Sequence, residues 1–275
     1  MILSERYSKI EILTRYPLGH LLKGMALDNN ERHFIKILNP PTTLPEELYQ
    51  DLFKNLEVES NTLQKTTSGK IVRCLYHERE IDTLVIGFQY PENPSLSQFI
   101  KENHPLSPDL VLNLLEQLSS IFSMLFSREI HRFQLEPDLV FIIPQNNKIV
   151  YLDTGLVNLA KFPETIRLGY LDGRPQFLPP ELLKAGELGA ASEVYFFAVF
   201  AHYLLTGNLP YNTISPVAAA VQCISENLPS VNRFRDERES KLNKWLSQAS
   251  AQNPGKRMKS VDEFFGGLRD ILSPR

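Results

Sequence analysis

The chain is short of several things, and each shortage excludes a class of protein. It holds two cysteines in 275 residues, Cys74 and Cys223, too few for the disulfide framework of a small secreted domain. Its six histidines share no metal-ligand spacing with one another or with the cysteines, which argues against a structural zinc site. The net charge of −3 gives no pull toward nucleic acid or an anionic membrane. No uninterrupted apolar run approaches the roughly 18 residues of a membrane helix. The N-terminus MILSERYSK lacks the regions of a signal peptide. These absences predict a soluble protein of the cytoplasm, with no nucleic-acid partner and no membrane segment.

What is present is an ordinary globular balance, 43% hydrophobic and 22% charged, enough apolar material for one large domain or two small lobes. Turn residues and apolar runs predict strands over residues 9–13, 21–27, 33–38, 71–76 and 83–88. Residues 44–64 interrupt them with Leu48, Leu52, Leu56 and Leu63 at helical spacing. Beyond Pro91 the pattern turns helical. Residues 110–126 place Val111, Leu114, Leu115, Leu118, Phe122 and Leu125 on one stripe, and further helices are predicted over 191–206, 217–225, 241–252 and 261–272. The fold class is α+β: one domain over 1–275, with a small β-rich lobe over 1–90 and a larger, mostly helical lobe over 91–275.

One stretch breaks the helical run. Residues 130–155, IHRFQLEPDLVFIIPQNNKIVYLDTG, read as two strands, 139–143 and 148–152, joined by a Pro-Gln-Asn-Asn turn. Asp138 precedes the first strand and Asp153 follows the second. Two carboxylates at the mouth of one hairpin suit a divalent cation. The same acids also serve as turn caps, and the residues alone leave both readings open. Asp153-Thr154-Gly155 matches the aspartic-protease signature too. That chemistry needs a second such loop on a β-rich fold, and the chain has one.

In order, these motifs resemble a eukaryotic-type protein kinase domain from Tyr7 to about Leu272. HFIKIL (33–38) resembles the strand bearing the family's ATP-anchoring lysine, here Lys36, and Glu59 stands where its glutamate partner is expected. IHRFQLEPDLVFI (130–142) resembles the catalytic loop, with His131 and Arg132 in its structural positions, and Asp153 falls on the metal-binding Asp-Phe-Gly. GRPQFLPPELL (173–183) resembles the Ala-Pro-Glu segment, whose Glu181 is expected to pair with Arg257 of NPGKRM. Glu193 stands where the large-lobe helix holds the catalytic-loop backbone with an Asp.

The departures from the family pattern concern chemistry. Phe133 and Leu135 occupy the places of the catalytic-loop Asp and Lys. Losing a general base costs about 10²- to 10⁴-fold in rate. Asp138 replaces the asparagine that ligates a second metal. TRYPLG (14–19) keeps only the last glycine of the phosphate-covering loop, and its Pro17 removes an N–H donor. Phe34 stands where a small alanine lies against adenine, so its ring is expected to fill that slot, and Phe88 narrows the pocket further. The expectation is therefore a degenerate member, a pseudokinase and not an enzyme. It would take no cofactor or metal and act by binding a protein partner as a scaffold or allosteric regulator. Lys36, Glu59, Asp138 and Asp153 would be vestigial, and His131, Arg132, Glu181, Glu193 and Arg257 structural. The alternative is an ATP- and Mg- or Mn-dependent Ser/Thr kinase, or another nucleotide transferase, using non-standard chemistry through Lys36, Asp138 and Asp153.

Overall fold

Apolar residues spaced for a pleated sheet dominate the first 90 residues, and they assemble into one sheet with one long helix against it. The computed structural model describes residues 2–39, 41–130, 132, 135–154, 163–167, 170, 174–184, 186–211 and 215–273. A short helix α1 (Ile2–Arg6) leads into β1 (Tyr7–Tyr16), β2 (Gly19–Ala26) and β3 (Arg32–Leu38). Helix α2 (Glu46–Lys65) follows, then β4 (Cys74–Glu80) and β5 (Thr83–Gln89). The strands form an antiparallel sheet in the order β1-β2-β3-β5-β4. In α2 the buried positions Leu52, Phe53, Leu56, Ser60 and Leu63 make an apolar stripe, and Glu59 is the charged residue set into it. That placement turns a carboxylate toward the sheet.

The second lobe is helical apart from one hairpin. Its elements are α3 (Leu96–Asn103), α4 (Pro108–Phe126), the hairpin β6 (Val140–Ile143) and β7 (Lys148–Tyr151), and the short helices α5 (Pro163–Arg167) and α6 (Pro180–Leu183). Then come α7 (Ala190–Thr206), α8 (Pro216–Ser225), α9 (Glu237–Ala249) and α10 (Val261–Leu272). Helix α7 is buried on nearly every side from Val194 to Leu205, as a sequence apolar all round requires. It stops at Gly207, whose φ of 70° is the left-handed cap conformation. Helix α4 is long and apolar enough to cross a membrane by length and composition, which a search for an uninterrupted run does not register. Its stripe of Val111, Leu114, Leu115, Leu118, Phe122 and Leu125 is buried within the lobe.

Backbone hydrogen bonds on both of its sides tie the hairpin to the rest. Val72 donates its N–H to the Tyr151 carbonyl at 2.8 Å, and Tyr151 donates to Lys70 at 2.9 Å. The Ile142 N–H reaches Pro94 at 3.1 Å on the other side. The hairpin therefore lies directly beneath the segment joining the lobes. Its turn closes at Asn147, φ 56°, a conformation asparagine tolerates.

Candidate active site

Between the lobes lies a concentration of buried charge. Lys36 of β3, Glu59 of α2, Arg132, Glu136 and Asp153 are each 6% exposed or less. Each is set by its element: Lys36 faces inward on a strand, Glu59 lies on the buried face of α2, and Asp153 is the second residue past β7. Replacing such groups by apolar ones of similar volume is often neutral or stabilising, so packing alone gives no reason for them.

Arg132 is the centre of the group. Its Nη2 donates to Glu59 Oε2 at 2.6 Å and its Nε to Asp153 Oδ1 at 3.1 Å. Burial alone would lower the guanidinium's pKa, but the charges of Asp153 and Glu59 outweigh it and raise the value. Asn55 Nδ2 donates to the other oxygen of Glu59 at 3.0 Å. At the opposite corner of the hairpin mouth, Asp138 accepts from Arg174 and from Ser97. Each of the two acids named as metal ligands thus already carries an arginine. Among the described residues no group of three or more His, Cys, Asp or Glu is placed to hold a metal ion.

The aromatic residues fill much of the remaining space. Phe34 is stacked on Tyr90, ring centroids 4.6 Å apart, and lies 5.7 Å from Phe141 of the hairpin. It bridges the segment joining the lobes and the floor below. Phe88 is opposite Phe34 in the β3–β5 register and is buried. Tyr16, at the end of β1, lies over Lys36 with the Nζ 4.3 Å from its ring centroid. Its hydroxyl donates to Glu136 Oε2 at 3.2 Å, across the cleft. Burial pushes the Glu136 carboxyl up to about 7, against the lowering influence of Arg174 and the Tyr16 hydrogen bond. Gly19, the one glycine kept from the phosphate-covering loop, has a local reason to be there. A Cβ at this position would collide with the Ile37 carbonyl of β3.

The remaining sequence-derived residues divide clearly. Leu135 is buried in the main apolar cluster, where a lysine would have no water. Thr154 is also buried. Arg257 grips Glu181 with two parallel hydrogen bonds of 2.7 and 2.8 Å. Glu193 sits in the first turn of α7 with its pKa raised by burial. His131 and Phe133 lie outside the described residues. Sequence reasoning missed Tyr16 and Glu136. The available signal for Glu136 was a carboxylate two residues before Asp138, inside the catalytic-loop match.

A family model for the protein kinase domain matches residues 7–264. The chain belongs to the protein kinase family. The serine/threonine-protein kinase pkn3 of Myxococcus xanthus is 25% identical over 267 residues, 94% of this chain and 48% of that protein. The serine/threonine-protein kinase PrkC of Bacillus subtilis is 24% identical over 219 residues, 80% of this chain and 34% of that protein. The chain thus spans less than half the length of these curated relatives. Among solved structures, a point mutant of the Mycobacterium tuberculosis PknI kinase domain superposes with a TM-score of 0.66 at 17% identity, covering 99% of this chain and 100% of that one. The two-lobed kinase fold is confirmed. The expectation that the chain is not an enzyme is overturned, because relatives that match most of it are named serine/threonine-protein kinases. With it falls the support for a scaffold-only role, and the expected absence of a cofactor, drawn from Phe34, Phe88 and the depleted glycine loop, is not supported by relatives that are named kinases.

Proposed function

We propose that the chain is the kinase domain of a serine/threonine-type phosphotransferase that uses ATP with Mg²⁺ or Mn²⁺ by chemistry departing from the family pattern. The supporting observation is the buried set Lys36, Glu59, Arg132, Glu136 and Asp153 between the lobes. Ionisable groups clustered in a cleft, with the Arg132 and Glu136 pKa values raised, make a functional-site candidate. In kind, the donors suit a nucleotide: an ammonium for phosphate, and the carboxylates Asp138 and Asp153 for a hard cation. In the described arrangement they do not fit one. Phe34 fills the space between Tyr90 and Phe141, and arginines hold both acids. The cleft must open before a nucleotide enters. The acceptor would be a hydroxyl of a protein partner, and two buried free thiols, Cys74 and Cys223, suit the reducing cytoplasm.

The test uses ATP labelled at the γ- or the α-phosphate, with Mg²⁺ or Mn²⁺ and a mixed Ser/Thr peptide library. Transfer of the γ label by wild type, lost in Asp153→Ala, is the expected result. Transfer of the α label instead would replace the kinase reading by a nucleotidyl transferase. No transfer of either label with either metal would overturn both.

A further inference from the structure

Tyr16 ties the end of β1 to the floor of the cleft. It leaves a strand of the small lobe, lays its ring over the Lys36 ammonium, and donates its hydroxyl to Glu136, 120 positions further along the chain. Its residue is 8% exposed and Lys36 1%. The other oxygen of Glu136, Oε1, is buried and has no hydrogen-bond partner among the described residues. The carboxylate is therefore held by the tyrosine on one oxygen only. An acceptor oxygen buried in that state is costly, so the contact across the cleft leaves the carboxylate incompletely satisfied while Tyr16 is in place.

We propose that Tyr16 is an internal plug. It occupies the place where an anionic ligand of Lys36 would sit, and that ligand enters only when Tyr16 swings out. The inference rests on the phosphotransferase reading for the identity of the ligand, a nucleoside triphosphate, but not for the plug itself. Lys36 has an aromatic face where a phosphate would give it a full opposite charge, and both cannot occupy the same side of the ammonium. The turn between β1 and β2 carries the motion. Pro17 stiffens the residue directly after Tyr16, so the tyrosine moves with the turn as a unit rather than by a local kink.

Two measurements on the whole chain test this. Acetylation of Lys36 by an amine-reactive ester, quantified residue by residue by mass spectrometry, reports access to the ammonium without any nucleotide. Equilibrium titration with ATP and Mn²⁺ reports entry. A ligand that binds only the open form has its affinity reduced by the open fraction, so a plug closed in about nine molecules of ten lowers affinity about 10-fold. Tyr16→Ala is expected to raise Lys36 acetylation and tighten ATP binding by about that factor. Tyr16→Phe keeps the ring over Lys36 and removes only the bond to Glu136. It is expected to give a smaller rise in both, and it guards against misfolding of the alanine variant. Equal Lys36 acetylation in wild type and both variants overturns the plug. Raised acetylation with no ATP binding in any variant upholds the plug and overturns the phosphotransferase reading instead.

Discussion

The two terminal nitrogens of Arg257 lie alongside the two oxygens of Glu181, at 2.7 and 2.8 Å, and Ser192 adds a third hydrogen bond at 2.6 Å. The arginine side chain is fully buried and the glutamate nearly so. Removing one partner of such a pair costs about 3–5 kcal/mol, so Arg257→Ala is expected to lower the urea midpoint by a corresponding amount. Burial would raise the Glu181 pKa, but the bonds from Arg257 and Ser192 win and hold it below its ordinary 4.5. Stability from this group is present above 4.5 and is lost as pH falls through the lower, folded value. The deficit of Arg257→Ala should shrink in acid, which urea titrations at neutral and acid pH will show.

Arg132 makes the opposite kind of case. Arg132→Met removes the guanidinium between Glu59 and Asp153 and leaves two buried carboxyls without that cation. Their pKa values must then rise, because burial disfavours the ions and the Arg132 charge that offset it is gone. Groups with raised folded values stabilise the fold at low pH and lose that stability as pH rises. The variant should be strongly destabilised at about pH 8 and recover toward about pH 5. Stability independent of pH would refute this account of the triad.

Glu136 gives a pH dependence in the wild type itself. Its carboxyl is pushed up to about 7 from 4.5, so its contribution is complete below 4.5 and is lost as pH rises through about 7. Glu136→Gln removes this dependence. The variant is expected to gain stability relative to wild type at about pH 8, by no more than about 3 kcal/mol, and to gain none at about pH 4.

Neighbouring glycines in α10 should respond with opposite signs. Glycine in a helix costs about 1 kcal/mol relative to alanine. A Cβ at Gly266 meets nothing within 4 Å, so Gly266→Ala is expected to stabilise by about that amount. A Cβ at Gly267 collides with the Trp245 ring. That ring is fixed by its N–H donating to the Phe264 carbonyl at 3.2 Å. Gly267→Ala should therefore lower the thermal midpoint despite its better helix propensity.

Much of this fold was legible because its periods are strong. The stripe of α4 and the hairpin strands fall where apolar spacing puts them, and the Glu181–Arg257 pair follows from the resemblance alone. Boundaries drifted where context overrides propensity. β1 extends from Tyr7 to Tyr16 because pairing with β2 carries it across two register shifts, and α3 is too short to show a helical period. The site was harder to read. Arg132 was assigned to the scaffold, and nothing in its local sequence says that it will lie between acids 73 residues before it and 21 after it. Tyr16 looked like part of a defective glycine loop, and only its distance from Glu136 gives it a role. The expectation of an inactive member weighed a few site positions, Phe133, Leu135, Phe34 and the depleted glycine loop, against a match over nearly the whole chain.

One apolar cluster runs without a break from Leu52 and Phe53 of α2, through Phe34 and Phe141 at the cleft, to Phe264 of α10. The lobes therefore share a hydrophobic interior instead of resting on each other through a wet hinge. Heat or urea should dismantle both in one transition, with the calorimetric and van't Hoff enthalpies equal. A molecule that pries the cleft apart must expose part of that common interior, so ligand admission and global melting draw on the same free energy.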